Sequence, residues 1–238
     1  MNNMRKQWTT LFAVVMVLVI ITAGCGKKYE AQSPAPTPTP AAQGGATPAP
    51  TPTPTPSEPA TNGKQWSNPP AMQIDTDKTY LAEVDTSKGK FTIELFAKDA
   101  PNTVNSFVFL AKEGFYDNVI FHRIIETFMI QTGDPTGTGT GGPGYKYADE
   151  LPSKVGYEPG IVAMANSGKD TNGSQFFICT GENSKGLKND YTIFGKVIEG
   201  MENVTVIAKT PVERNPMTGE SSTPSEKVTI NAIKITEK

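Results

Sequence analysis

Between Ser33 and Pro70 the chain alternates proline with threonine and alanine, as in Thr51-Pro52-Thr53-Pro54-Thr55-Pro56, and carries almost no large apolar residue. A segment of that composition cannot bury enough surface to offset its ordering entropy, so it is expected to stay unfolded with polyproline II bias. A packed core must therefore be built from the residues C-terminal to it, and the folded domain is placed at residues 71–238 of the 238. At about 3.1 Å per residue the extended stretch reaches on the order of 100 Å. That suits a stalk lifting a domain through a cell wall, its threonines open to glycosylation; the plainer reading is a tolerated low-complexity linker.

The first residues have the layout of a signal peptide: Arg5 and Lys6 without an acid, the unbroken apolar run Leu11 to Ile21, then Thr22-Ala23-Gly24-Cys25. The run is well short of the roughly 20 residues a transmembrane helix needs. The small residues before Cys25 resemble a bacterial lipobox, which makes 1–24 a lipoprotein leader, Cys25 the lipidated new N-terminus and 25–70 the linker. Thr22 departs from that box, which more often carries leucine there; ordinary secretion is the alternative. Each buried acyl CH₂ contributes about 0.8 kcal/mol, so several chains on one cysteine anchor stably. The expected location is the cell membrane, lipid-anchored, on the extracytoplasmic face.

The only other cysteine, Cys179, comes after Phe176-Phe177-Ile178 and is expected to be buried and inert, with no disulfide inside the domain. One histidine and no close cysteine pair leave no usual ligand set for zinc or another transition metal, and no cofactor is expected. A net charge of −2 without a basic stripe argues against a nucleic-acid partner. A monomer is the default.

Leu81 to Val84 and Lys90 to Phe96 read as strands around a Ser87-Lys88-Gly89 turn. Pro101 to Lys112 has Val104, Phe107, Val108 and Ala111 at helical spacing, proline in the first turn and Gly114 just past the end. Beyond it lie short strands broken by glycine, then a second helix near Glu202 to Ala208 and a last strand from Lys227 to Ile235. Many short strands with only two helices suggest an all-β barrel closed on itself, its open ends covered by the helices.

Two segments carry the chemistry. Phe121-His122-Arg123-Ile124-Ile125-Glu126-Thr127-Phe128-Met129-Ile130-Gln131 sets an always-charged guanidinium in an apolar run. An unpaired buried charge is too costly, so Arg123 must sit at a cleft with its donors facing a partner. Downstream, Ala163-Met164-Ala165-Asn166-Ser167-Gly168 and Thr171-Asn172-Gly173-Ser174-Gln175-Phe176-Phe177 run an amide-rich loop into an aromatic strand. Together with Gly133 to Tyr145 and Tyr191 to Met201 they resemble the cyclophilins, in the family's order, over roughly Thr79 to Thr236.

The resemblance implies a closed eight-stranded antiparallel β-barrel capped by two α-helices, and peptidyl-prolyl cis-trans isomerase activity; with the leader, the expected partners are proline-containing segments of secreted or surface proteins, whose folding it would assist. It assigns Arg123 as the donor to the substrate and Gln131 as the residue that orients it. Phe128, Met129, Phe177 and Leu187 would receive the proline ring. Asn166 would hold the substrate through its backbone, and Ala165 and Gln175 would line the groove. The plainer alternatives are a rim ion pair for Arg123 and core packing for Phe128 and Phe177. His122 is read as a packing residue, because proline isomerisation transfers no proton. Gly186 stands where many eukaryotic members carry a tryptophan that contacts cyclosporin. Tyr191 stands where they often have histidine, although many bacterial relatives carry tyrosine there, and Lys188-Asn189 replaces the usual aspartate-glycine, so weak cyclosporin binding is expected. The alternative function is a proline-peptide binding module in which catalysis is incidental.

Overall fold

Alternation builds the first hairpin. In Tyr80–Thr86 (β1) the residues Tyr80, Ala82, Val84 and Thr86 are buried, and in Gly89–Leu95 (β2) Phe91, Ile93 and Leu95 are, while the residues between them are less buried or exposed. Side chains on a strand point alternately to opposite faces, so one face of this hairpin packs and the other meets water. The turn is closed by the Thr86 hydroxyl, which donates to the Gly89 carbonyl at 2.6 Å. The structure is a computed structural model and describes residues 63–238; the expected leader, Cys25 and the linker up to residue 62 lie outside the described residues.

Helix Pro101–Lys112 (α1) buries Val104, Phe107, Val108, Leu110 and Ala111. No side chain of its own caps it. Glu150 does so from a distant loop, accepting the backbone N–H groups of Asn102 and Thr103 at 2.9 Å each. A carboxylate there satisfies donors the helix leaves open and complements its dipole.

The remaining strands are Arg123–Ile125 (β3), Met129–Thr132 (β4), Ile161–Met164 (β5), Phe176–Cys179 (β6), Ile193–Glu199 (β7), Val212–Arg214 (β8), Ser221–Pro224 (β9) and Ile230–Glu237 (β10). A second helix, Met201–Ala208 (α2), comes after β7, and a 3-10 turn spans Glu182–Gly186. Eight strands form one antiparallel sheet in the order β10-β1-β2-β7-β5-β6-β4-β3, and β8 pairs only with β9. The expected closed barrel takes the form of a curled sheet, a half-barrel. Its end strands β10 and β3 share no ladder; the segment before β3 meets the approach to β10 through the bridge Ile120–Thr229 and the bond from Phe121 N–H to the Val228 carbonyl. β10 starts at Ile230, where its pairing with Thr86 of β1 begins, and not at Lys227.

The chain packs earlier than residue 71. Trp66 lies edge-on to Phe109 with ring centres 5.2 Å apart and 5.9 Å from Phe115, and its N–H donates to the Pro143 carbonyl. With Trp66, the bonds from Gln65 Nε2 to the Gly142 carbonyl at 2.8 Å and from Asn105 Nδ2 to the Pro70 carbonyl at 3.3 Å fasten residues 64–70 to the domain.

Candidate active site

Strands β5 and β6 are apolar on both faces, and β4 is so at Met129 and Ile130. Ile130, Val162, Met164, Phe176 and Ile178 point into the main core, whereas Met129, Ile161, Ala163, Phe177 and Cys179 form a second cluster on the opposite face. Burial pushes the Cys179 thiol up to about 11, which leaves it protonated and unreactive at neutral pH. The register places the candidate side chains on this second face: Arg123 pairs with Gln131 across β3 and β4, Gln131 with Phe177 across β4 and β6, and Phe177 with Ala163 across β6 and β5. Met129, two residues from Gln131, shares that face.

A cavity of about 250 Å³ opens over this row, lined by Arg123, Phe128, Met129 and Gln131 on one side and by Ala165, Asn166, Phe177, Leu187 and Tyr191 on the other. Eight of the nine site residues expected from the sequence therefore meet in one place. The ninth, Gln175, lines an adjoining cavity of about 720 Å³ that shares Gln131, Ala165 and Asn166 with the first. Phe177 and Tyr191 stack edge-to-face at 5.7 Å, and the Arg123 guanidinium carbon lies 5.8 Å from the Phe128 ring centre. Such a contact adds a cation–ring attraction that holds the guanidinium against the aromatic wall.

A chain of amides sets the arginine. Gln175 Nε2 donates to the Gly139 and Gly141 carbonyls at 3.0 and 2.9 Å, so its oxygen must face Gln131. Gln131 Nε2 donates to that oxygen at 3.1 Å, which turns Gln131 Oε1 toward Arg123 Nη1 at 3.4 Å. The loop behind the chain is held by Asp134. Burial pushes its carboxyl up, but the Thr136 hydroxyl and the N–H groups of Thr136, Gly141 and Gly139 together outweigh burial and hold it below the usual range. Gly133 is required beside it: at φ +87° any Cβ would sit 2.9 Å from Gln175 Cα.

Asn166 spends its side chain inside the fold, donating to the Asp190 carbonyl at 2.9 Å and accepting from Gly168 N–H at 3.2 Å. Its backbone N–H and C=O take no partner among the described residues. His122 lines neither cavity, and both its ring nitrogens are buried without a hydrogen-bond partner there. Burial, with a smaller push from Arg123, lowers its pKa against the opposing pull of Asp134.

The rim ion pair exists as well. Arg123 Nε and Nη2 donate to the two oxygens of Glu220 at 2.7 and 2.9 Å, and hydrogen bonding to Arg123 holds the Glu220 carboxyl below the usual carboxylate range against the opposing effect of burial. Sequence reading has no hold on Glu220, one acid in a polar stretch 97 residues from its partner. Tyr191 stands out in the sequence only as a family position; the signal for its place in the wall is the tyrosine-phenylalanine pair it makes with Phe177.

The sequence model for the cyclophilin type peptidyl-prolyl cis-trans isomerase/CLD family matches residues 81–235. The chain is 49% identical over 148 residues to peptidyl-prolyl cis-trans isomerase-like 1 of Emericella nidulans, covering 60% of this chain and 88% of that protein. It is 43% identical over 175 residues to peptidyl-prolyl cis-trans isomerase A of Mycobacterium tuberculosis, covering 66% and 92%. A cyclophilin type isomerase from Cryptosporidium parvum superposes with a TM-score of 0.60 at 36% identity, over 66% of this chain and 98% of that one. The same protein has also been crystallised in the presence of the dipeptide ala-pro. With the match spanning the strands and loops that build the cavity, the chain belongs to the cyclophilin-type peptidyl-prolyl cis-trans isomerases.

Proposed function

We propose that this isomerase acts on proline-containing segments of secreted or surface proteins outside the cytoplasm, as a monomer held to the membrane through Cys25. The observation that carries the chemistry is a guanidinium edge beside Phe128, Met129, Phe177 and Leu187 in one cavity large enough for a proline ring.

Rotation about the bond before proline is slow because the nitrogen donates its lone pair to the carbonyl, giving a barrier of about 18–20 kcal/mol. In the twisted transition state the lone pair returns to nitrogen, which accepts a hydrogen bond only then. A donor aimed at that nitrogen favours the transition state over both ground states. Arg123 is that donor, Phe128, Met129, Phe177 and Leu187 take the ring, and the free backbone of Asn166 holds the peptide. Ala165 and Gln175 line its path. Raising a rate of roughly 10⁻² per second to roughly 10–10³ per second requires about 4–7 kcal/mol. One hydrogen bond to a charged group supplies about 1.5–3 kcal/mol, and withdrawal of the peptide from water into a preorganised site supplies the rest. No covalent step and no proton transfer enter.

The location rests on the leader-like first residues and Cys25. Metabolic labelling with palmitate tests it. Wild type is expected to take up label and sediment with membranes, and Cys25→Ser to do neither; an unlabelled, soluble wild type would contradict the anchor.

A further inference from the structure

The geometry points to Glu220 as a positioning residue for Arg123, one that fixes the guanidinium so that its Nη1 edge is presented to the cavity. The two edges of the guanidinium have different neighbours. Nε and Nη2 are taken by the Glu220 carboxylate in the two-bond arrangement that a planar fork allows, at 2.7 and 2.9 Å. Nη1 faces Gln131 Oε1 at 3.4 Å and Met129 Sδ at 3.6 Å, both of them cavity residues. Glu220 lines neither cavity, so it grips the arginine from outside and leaves the substrate's side open.

Glu220 is itself held. Asn215 Oδ1 accepts the N–H groups of Met217 and Thr218, Gly219 N–H donates to the Asn215 carbonyl at 2.8 Å, and Asn215 N–H donates to the Glu220 carbonyl at 2.7 Å. The turn opens directly into β9, which packs beside β3. Arg123 is thus clamped between its own strand and an independent hairpin before any peptide arrives. Preorganising a donor in this way speeds a step whose catalysis consists of positioning.

This rests on the isomerase reading, so the test includes a signal that does not need turnover. The full chain, Glu220→Ala, Glu220→Gln and Glu220→Asp are compared on an alanine-proline peptide, and Glu220→Ala is repeated in an Arg123→Lys background. Both side chains are about a third exposed, 32% and 37%. The expected loss of kcat in Glu220→Ala is about tenfold, between the few-fold effect of a screened pair and the roughly hundredfold effect of a misplaced group. KM is expected to stay within about twofold, Glu220→Asp to recover part of the loss, and Arg123→Lys to abolish the effect of Glu220→Ala. The Arg123 Nε–H proton is expected to give a sharp, slowly exchanging NMR signal in wild type that vanishes in Glu220→Ala. Unchanged kcat, a rise in kcat or an Nε–H signal indifferent to Glu220 would each overturn the assignment. A wild type without turnover would sink the isomerase reading instead, and the Nε–H signal would still decide whether Glu220 holds Arg123.

Discussion

Replacing Gln131 by alanine removes the acceptor that ties Arg123 Nη1 to the amide chain behind it, and the size of the effect can be worked from the distances. The Nη1–Oε1 separation of 3.4 Å is long for a hydrogen bond, and Arg123 is 32% exposed, so the contact belongs below the bottom of the range for charged partners. From a range of about 1.5–3 kcal/mol, roughly 1 kcal/mol remains, which is about fivefold in rate. Gln131→Ala is therefore expected to lower kcat about fivefold with KM little changed. Gln175→Ala should do nearly the same, since Gln175 acts on Arg123 only through Gln131. The double variant should be no slower than Gln131→Ala, because groups acting in series do not add. Line-shape NMR of an alanine-proline peptide over a range of concentrations gives both constants. Additive losses, or a raised KM at constant kcat, would refute the orienting chain.

Trp66→Ala should cost about 2 kcal/mol, less than a fully buried aromatic, and lower the melting temperature by about 4–8 °C; an unchanged melt would mean that residues 64–70 do not belong to the packed domain. Gly186 has open space where a side chain would go. Gly186→Trp should consequently fold normally and bind cyclosporin about tenfold more tightly, some 1.4 kcal/mol of aromatic contact. Submicromolar inhibition of the wild type would contradict the expected weak binding. Because the His122 pKa is lowered in the fold, the unfolded chain takes up this proton at higher pH than the folded one. The corresponding stability is present above about pH 6.5 and is lost as pH falls toward the folded value. Melting temperature should decline over that window in wild type and less steeply in His122→Phe, while kcat stays flat above it. A kcat that tracked the His122 titration would restore a proton-transfer role.

Much of this is legible in the sequence because it is local. Val104, Phe107, Val108 and Ala111 repeat at helical spacing and form α1 within the limits read from the sequence. The β1–β2 hairpin alternates as a half-buried sheet should. The site is legible for a different reason: motif residues in Phe121–Gln131 and Ala163–Phe177 fall on three adjacent ladders, and pairing brings their side chains to one face. The missed parts lack any local pattern. All three residues of β8 are exposed, so no alternation marks the hairpin that carries Glu220. Trp66 is a lone aromatic after a proline-rich run, and its value depends on Phe109 and Phe115 far along the chain. Sheet closure, too, depends on where two distant edges meet, which no segment encodes alone.

Isomerisation of a short alanine-proline peptide by the full chain and by Arg123→Ala tests the central claim most directly. Expected is fast turnover in wild type that falls by about ten- to a hundredfold in the variant, the loss of one charged hydrogen bond, with peptide affinity nearly intact. Equal rates in the two proteins would show that Arg123 is not the donor, and that its pairing with Glu220 serves only the fold.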